Sequence, residues 1–197
     1  MATFRVLVVC TANHCRSPMG QQMLQHAAAA RFGDGSWQVD SAGTNIPGPW
    51  PLHEHAATVL AGRLGEVAPH TSQPLSSAVI GASDLILTAS RRQRGIVVKA
   101  VPAAIGRTFT IRQFARLSDA VPAPVPGAVP PDPVGQGRWL VTEAKLARSS
   151  LQPVAGDEED LPDPMGGPLA DFEVCADRLQ DAIDRILRPL PAGRPVA

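Results

Sequence analysis

The sequence predicts an α/β protein in three layers, an open four-stranded parallel sheet with helices on both faces. Three observations carry that expectation. Short apolar runs rich in β-branched residues alternate with helical stretches, which calls for crossover connections and parallel pairing. The first run, Phe4 to Val9 (FRVLVV), is almost continuously apolar, as a strand covered on both sides must be. That run ends in a tight loop feeding a helix start, the usual place for an anion in such sheets.

The remaining elements follow in order. Ser17 to Phe32 reads as the first helix, with Pro18 just inside its start, Met19, Met23, Leu24 and Ala27 on one side, and Gly33 to Gly35 as its stop. Ser36 to Asp40 is a second strand, and Ser41-Ala42-Gly43-Thr44 turns the chain. Pro47 to Pro51 is a loop carrying Trp50. His53 to Leu64 is an alanine-rich helix closed by Gly65. Asp84 to Thr88 (DLILT) is the third strand, Arg91 to Ala100 a helix whose Arg91, Arg92 and Arg94 form a solvated face, and Thr108 to Ile111 the fourth strand. Residues 118–137 are dense in proline (VPAPVPGAVPPDPVG), which forbids regular structure, and Trp139 to Ser150 can make one helical insert. Gly156 to Gly167 is acidic and turn-rich. Ala170 to Leu187 is amphipathic, with Phe172, Ala176, Leu179, Ile183 and Ile186 on one face. The expectation is a single domain over 1–197, with 118–160 a proline-rich insertion.

Composition narrows the function classes. Eighteen basic and eighteen acidic residues cancel in 197, so nothing suggests a surface that binds nucleic acid or a membrane. MATFRVLVVC is interrupted too soon for a signal peptide, and three cysteines do not suit a secreted disulfide scaffold. A soluble, cytoplasmic protein is expected. His53-Glu54-His55 is no metal site by spacing, because residues two apart on a helix diverge; no metal or other cofactor is implied.

The chemistry is concentrated in Cys10-Thr11-Ala12-Asn13-His14-Cys15-Arg16-Ser17, a C-x5-R-S spacing between strand and helix. Amide donors over a helix N-terminus favour a thiolate at Cys10. Arg16 can return to the loop and offer paired N–H bonds to a tetrahedral oxyanion, and Ser17 can donate to the sulfur. Asn13 tolerates the left-handed backbone that so tight a loop requires. The plain alternative is Cys10 as a small buried hydrophobe at a strand end.

The string from Val8 to Met19 (VVCTANHCRSPM) resembles the signature of the low-molecular-weight protein tyrosine phosphatases. The resemblance continues in Val39 to Thr44 (VDSAGT), in His70 before Gln73-Pro74-Leu75, in Asp84 to Leu87, and in Asp163-Pro164 before the last helix. It covers almost the whole chain outside the insertion, and the fold is shared with thioredoxin-coupled arsenate reductases. It implies a phosphate-binding loop after the first strand, built from Thr11, Ala12, Asn13, His14, Cys15 and Ser17. Within it, Cys10 attacks phosphorus to give a cysteinyl-phosphate while Arg16 and the loop amides hold the equatorial oxygens.

An Asp-Pro dipeptide supplies the general acid in the family, and this chain has two. Asp163-Pro164 precedes the last helix as the family's does, whereas Asp132-Pro133 lies in the insertion, so Asp163 is the expected acid. Ser41 and His70 match residues that support the loop asparagine. Cys15 is placed to form a reversible, protective disulfide with Cys10. Departures concern the substrate. The chain has no tyrosine, Met165 stands where aromatic residues often follow the Asp-Pro, and His14 occupies a loop position that is often aliphatic. Trp50 offers an opposite wall.

The resemblance implies a metal-independent phosphatase acting on a phosphorylated protein or small phosphoester, phosphotyrosine or similar. Arsenate reduction is the enzymatic rival, weakened because residues 81–106 hold no cysteine for a relay. An oxyanion- or phospho-ligand-binding module without turnover is the other.

Overall fold

The computed structural model describes residues 2–121, 127–154 and 157–191. Strand β1 (Phe4–Cys10) lies inside a four-stranded parallel sheet of order β2-β1-β3-β4, with β2 at Trp37–Gly43, β3 at Leu85–Thr88 and β4 at Thr108–Thr110. The strand pleat sorts the core. Phe4, Val6, Val8 and Cys10 face one side with Leu85, Leu87 and Phe109, while Leu7 and Val9 face the other with Ile86.

Five helices cover the first face: α1 (Arg16–Phe32), α2 (Glu54–Leu64), α5 (Ile111–Asp119), α6 (Pro133–Ser150) and α7 (Leu169–Leu187). The second face takes α3 (Ser77–Ala82), α4 (Arg91–Ala100) and a 3-10 turn at Pro102–Arg107, through Ile80, Val97 and Ala104. The predicted stripe on α7 is fully buried, and Cys175 is buried beside it. All strands point their carboxyl ends the same way, and the strand order reverses direction between β1 and β3. Loops after these two strands therefore diverge around a crevice, where ligands of open α/β sheets bind. Among the described residues, no helix is long and apolar enough to cross a membrane.

Several boundaries differ from the sequence expectation. β2 runs on through Ser41, Ala42 and Gly43, which pair with Val8, Val9 and Cys10, so these residues are strand and not turn. Ile111 is not strand but the first residue of α5, whose start is capped by Thr110 Oγ1 accepting from the Gln113 N–H at 3.1 Å. The short α3 was not expected, because Ser76 to Ala82 carries too brief an apolar pattern. Arg91 and Arg92 are exposed as expected, although Arg91 is also paired as described below, whereas Arg94 is half-buried and its Nε donates to the Thr108 carbonyl at 3.1 Å.

The insert helix also begins earlier than expected. Asp132 caps α6 by accepting from the Gly135 N–H at 2.8 Å, and Pro133 takes the first helical position, where its missing N–H costs nothing. Irregular structure was expected for all of 118–137, but 118–119 close α5 and 133–137 are helical; residues 122–126 lie outside those described. α6 is held by Trp37, whose indole donates to the Pro133 carbonyl at 3.0 Å and packs between Phe4 (4.6 Å) and Phe32 (5.2 Å). At its far end the Arg148 guanidinium stacks 3.7 Å above the Phe109 ring.

Gly137 lets this helix lie close to the sheet: a Cβ there would lie 2.7 Å from the Phe4 ring. Gly137→Ala is expected to overpack this contact and cost about 1–3 kcal/mol, read as a lower denaturant midpoint at unchanged m-value.

Candidate active site

β1 delivers Cys10 to the crevice and α1 starts at Arg16, so Thr11 to Cys15 arch over the unpaired N–H groups of the first turn of α1. The arch needs room behind it. Gly43, opposite Cys10, leaves that room, since a Cβ there would stand 2.7 Å from the Thr11 carbonyl oxygen.

Asn13 is the pivot. It is fully buried with φ 53°, and it is the only non-glycine residue at positive φ among those described. Its N–H points at Cys10 Sγ (3.3 Å), and its carbonyl accepts from His70 Nε2 at 2.7 Å. One side-chain N–H goes to Ser17 Oγ (2.9 Å) and one to Ser41 Oγ (2.8 Å), while Oδ1 accepts from the Gln73 N–H at 2.7 Å. Ser41 passes its own hydrogen to Gln21 Oε1 at 2.6 Å. Ser17 Oγ accepts from Asn13 and stands 3.0 Å from Cys10 Sγ, where its hydrogen can donate to a thiolate. The sulfur thus faces two donors.

Arg16 is buried and reaches Asp163, with Nη2 at 2.5 Å from Oδ2. Asp163 is about half exposed, and its second oxygen accepts from the Met165 N–H at 3.3 Å. The structure therefore brings Asp163 to the loop. Asp132 belongs to the opposite end of the sheet, beside Trp37 and Phe4, about 20 Å away along seven residues of strand.

At the mouth, His14 Nδ1 donates to the Pro51 carbonyl at 2.6 Å, and its ring meets Trp50 edge-on at 5.1 Å and His53 at 5.2 Å. His53 stacks on Phe172 of α7 at 4.6 Å. Trp50 and Met165 are both partly exposed. Cys10, Cys15 and Cys175 are free, buried thiols, and burial pushes Cys15 and Cys175 up to about 12. Among the described residues no cluster of side chains is suited to a metal ion.

Four contributors were not singled out in the sequence. Gln21 and the Gln73 backbone complete the Asn13 network, and Gln93 Nε2 donates to Thr11 Oγ1 at 2.9 Å. Glu159 anchors the segment before Asp163. Gln93 sits among arginines that suggested a solvated face, and Glu159 in an acidic run that suggested a surface turn, so composition concealed both.

The family model described as low molecular weight phosphotyrosine protein phosphatase matches residues 5–131. The chain is 26% identical over 187 residues to a protein-arginine-phosphatase of Geobacillus stearothermophilus, covering 95% of this chain and 96% of that protein. It is 30% identical over 107 residues to the low molecular weight protein-tyrosine-phosphatase Ptp of Acinetobacter johnsonii, covering 54% of this chain and 70% of that one. Among solved structures, a low molecular weight protein tyrosine phosphatase from T. tengcongensis superposes with a TM-score of 0.68 at 25% identity, over 95% of this chain and 100% of that chain. The arginine phosphatase structure from Geobacillus stearothermophilus gives 0.66 at 26% identity, over 95% and 92%.

The histidines make the loop's support sensitive to pH. His70 is lowered from 6.5, mainly by burial, with His14 adding to the shift and the Asn13 carbonyl opposing it; His53 is lowered by burial and by His14 and His55, with Glu54 opposing. Between 6.5 and the lower folded values, the unfolded chain binds more protons than the folded one, so stability rises with pH. Stability is expected to be fully present above pH 6.5 and lost as pH falls through it, a slope that His70→Gln reduces in denaturant titrations between pH 7.5 and 5.

Proposed function

The chain belongs to the low molecular weight phosphotyrosine protein phosphatase family, and we propose that it hydrolyses phosphorylated protein side chains through a cysteinyl-phosphate on Cys10, without a metal. The observation that carries this reading is the Arg16–Asp163 pair standing over the Cys10 loop. Asp163 lies outside the residues matched by the family model, so its role rests on that geometry.

The Cys10 thiolate displaces the leaving oxygen from phosphorus, forming the S–P bond as the P–O bond breaks. Arg16 and the amides over the N-terminus of α1 hold the three equatorial oxygens, charge stabilisation that needs no rearrangement during the reaction. Protonated Asp163 gives its proton to the departing oxygen. The resulting carboxylate then takes a proton from the water that cleaves the S–P bond. Ser17 donates to the sulfur as it becomes the leaving group of this second step.

Phosphotyrosine is the substrate the family model names. A second reading, phosphoarginine, is favoured by similarity to an arginine phosphatase over nearly the full chain and by the polar imidazole of His14 at the mouth. Trp50 offers a wall to either side chain. Arsenate reduction through a cysteine relay has less support, because Cys175 is buried within the core and pushed up to about 12.

Turnover of phosphotyrosine and phosphoarginine peptides, with chelator and thiol present, decides between the substrates. Cys10→Ser is expected to lower turnover at least about a thousandfold while vanadate binding persists; retained turnover ends the nucleophile assignment. Asp163→Asn is expected to slow phenyl phosphate by about a hundredfold or more, and p-nitrophenyl phosphate much less, because the better leaving group needs less protonation. Asp132→Asn leaves both rates unchanged, since asparagine also caps α6.

A further inference from the structure

We propose that Glu159 is a positioning residue that sets Asp163 over the loop. The inference rests on Asp163 being the acid. Asp163 has little hold of its own: its side chain is half exposed, and among the described residues Arg16 is its only side-chain partner. What fixes it is the chain just before it.

Glu159 is a carboxylate with 5% side-chain exposure, and Oε1 accepts from both Nε (2.9 Å) and Nη2 (2.7 Å) of Arg116 on α5. Its Oε2 stands 3.4 Å from Nη2 of Arg91 on α4. The next residue continues the attachment. Asp160 Oδ1 accepts the Arg91 N–H at 2.8 Å, at a helix start where Ser90 gives no side-chain cap, and its carbonyl accepts from Arg112 at 3.0 Å. The Leu161 N–H then donates to the Ala89 carbonyl, just past β3, at 2.8 Å, and its side chain is buried. Three consecutive residues thus tie the segment to the end of β3, the start of α4 and the face of α5. Pro162 stiffens the single step that remains to Asp163.

The anchor serves the segment more than the helices. α5 is already held by Ile111, Phe114, Ala115 and Leu117 in the core, and α4 by Val97. Among the described residues, the acid segment has no such apolar hold between Asp157 and Asp163 except Leu161. A buried carboxylate is retained only where it is paired, and here the pairing determines where the next four residues lie. A displacement of the acid by about 1 Å is enough to cost up to a hundredfold in a positioned reaction.

The test is a double-substitution cycle with two substrates, phenyl phosphate and p-nitrophenyl phosphate, with melting temperature measured for each variant. Glu159→Gln is expected to lower kcat on phenyl phosphate about tenfold and on p-nitrophenyl phosphate less than about threefold, with KM and vanadate inhibition unchanged. Arg116→Gln, which breaks the same contact from the other side, is expected to give the same ratio, and Glu159→Asp to recover part of it. In an Asp163→Asn background, Glu159→Gln should no longer alter the ratio between substrates. Equal losses on both substrates, or an undiminished effect in the Asp163→Asn background, overturn the positioning role while leaving Asp163 as the acid. If Asp163→Asn alone shows no leaving-group dependence, the acid assignment fails and this inference falls with it.

Discussion

The site depends on one constraint: Asn13 must hold a left-handed backbone while fully buried. That conformation costs an L-residue on the order of 1–3 kcal/mol, and it persists only where the surroundings over-determine it. Here five polar groups of one residue each have a partner, drawn from β1, α1, β2 and the 70–73 segment. Removing any one leaves a buried donor or acceptor unpaired. The parallel sheet is what makes this convergence possible, because it brings the ends of β1 and β2 to the same edge, with Gly43 directly opposite Cys10.

The nucleophile side and the acid side are built differently. The loop is half-buried around a fully buried Asn13 and closed by hydrogen bonds that run through neutral side chains. The acid side is electrostatic, with a buried carboxylate among arginines and a half-exposed ion pair to Arg16. Solvent around the half-exposed Asp163 screens the pair, so the contact with buried Arg16 holds the carboxylate without locking it. A rigid cradle and an adjustable carboxylate suit the proposed reaction, in which Asp163 acts twice, once in each direction.

Much of this was legible in the sequence because it is local. The strand, loop and helix from Phe4 to Phe32 follow from apolar patterning, Pro18 and the C-x5-R-S spacing, and the buried stripe of α7 follows from helical periodicity. Asn13 could be singled out because few residues accept its backbone. Contacts across long separations were not legible. Nothing in the composition marks Gln93 as the partner of Thr11, or tells Glu159 from its exposed neighbours Asp157 and Glu158, since burial is decided by α4 and α5. The start of α6 was missed for a related reason. Proline density argued for irregular structure, whereas Asp132 and Pro133 together form a helix start held by Trp37, 96 residues earlier, and by Phe4, earlier still.

The order of these parts along the chain has a consequence for synthesis. Every residue of the anion cradle, from Cys10 to Gln93, leaves the ribosome before Asp163, and the Arg16–Asp163 contact spans 147 positions. α7, which follows the acid, covers the apolar faces of α1 and α5. An unfinished chain therefore carries the Cys10 loop without the proposed proton donor and exposes surface that quality-control proteases and chaperones recognise. A chain that ends before Asp163 lacks both the proposed acid and the helix that completes the core.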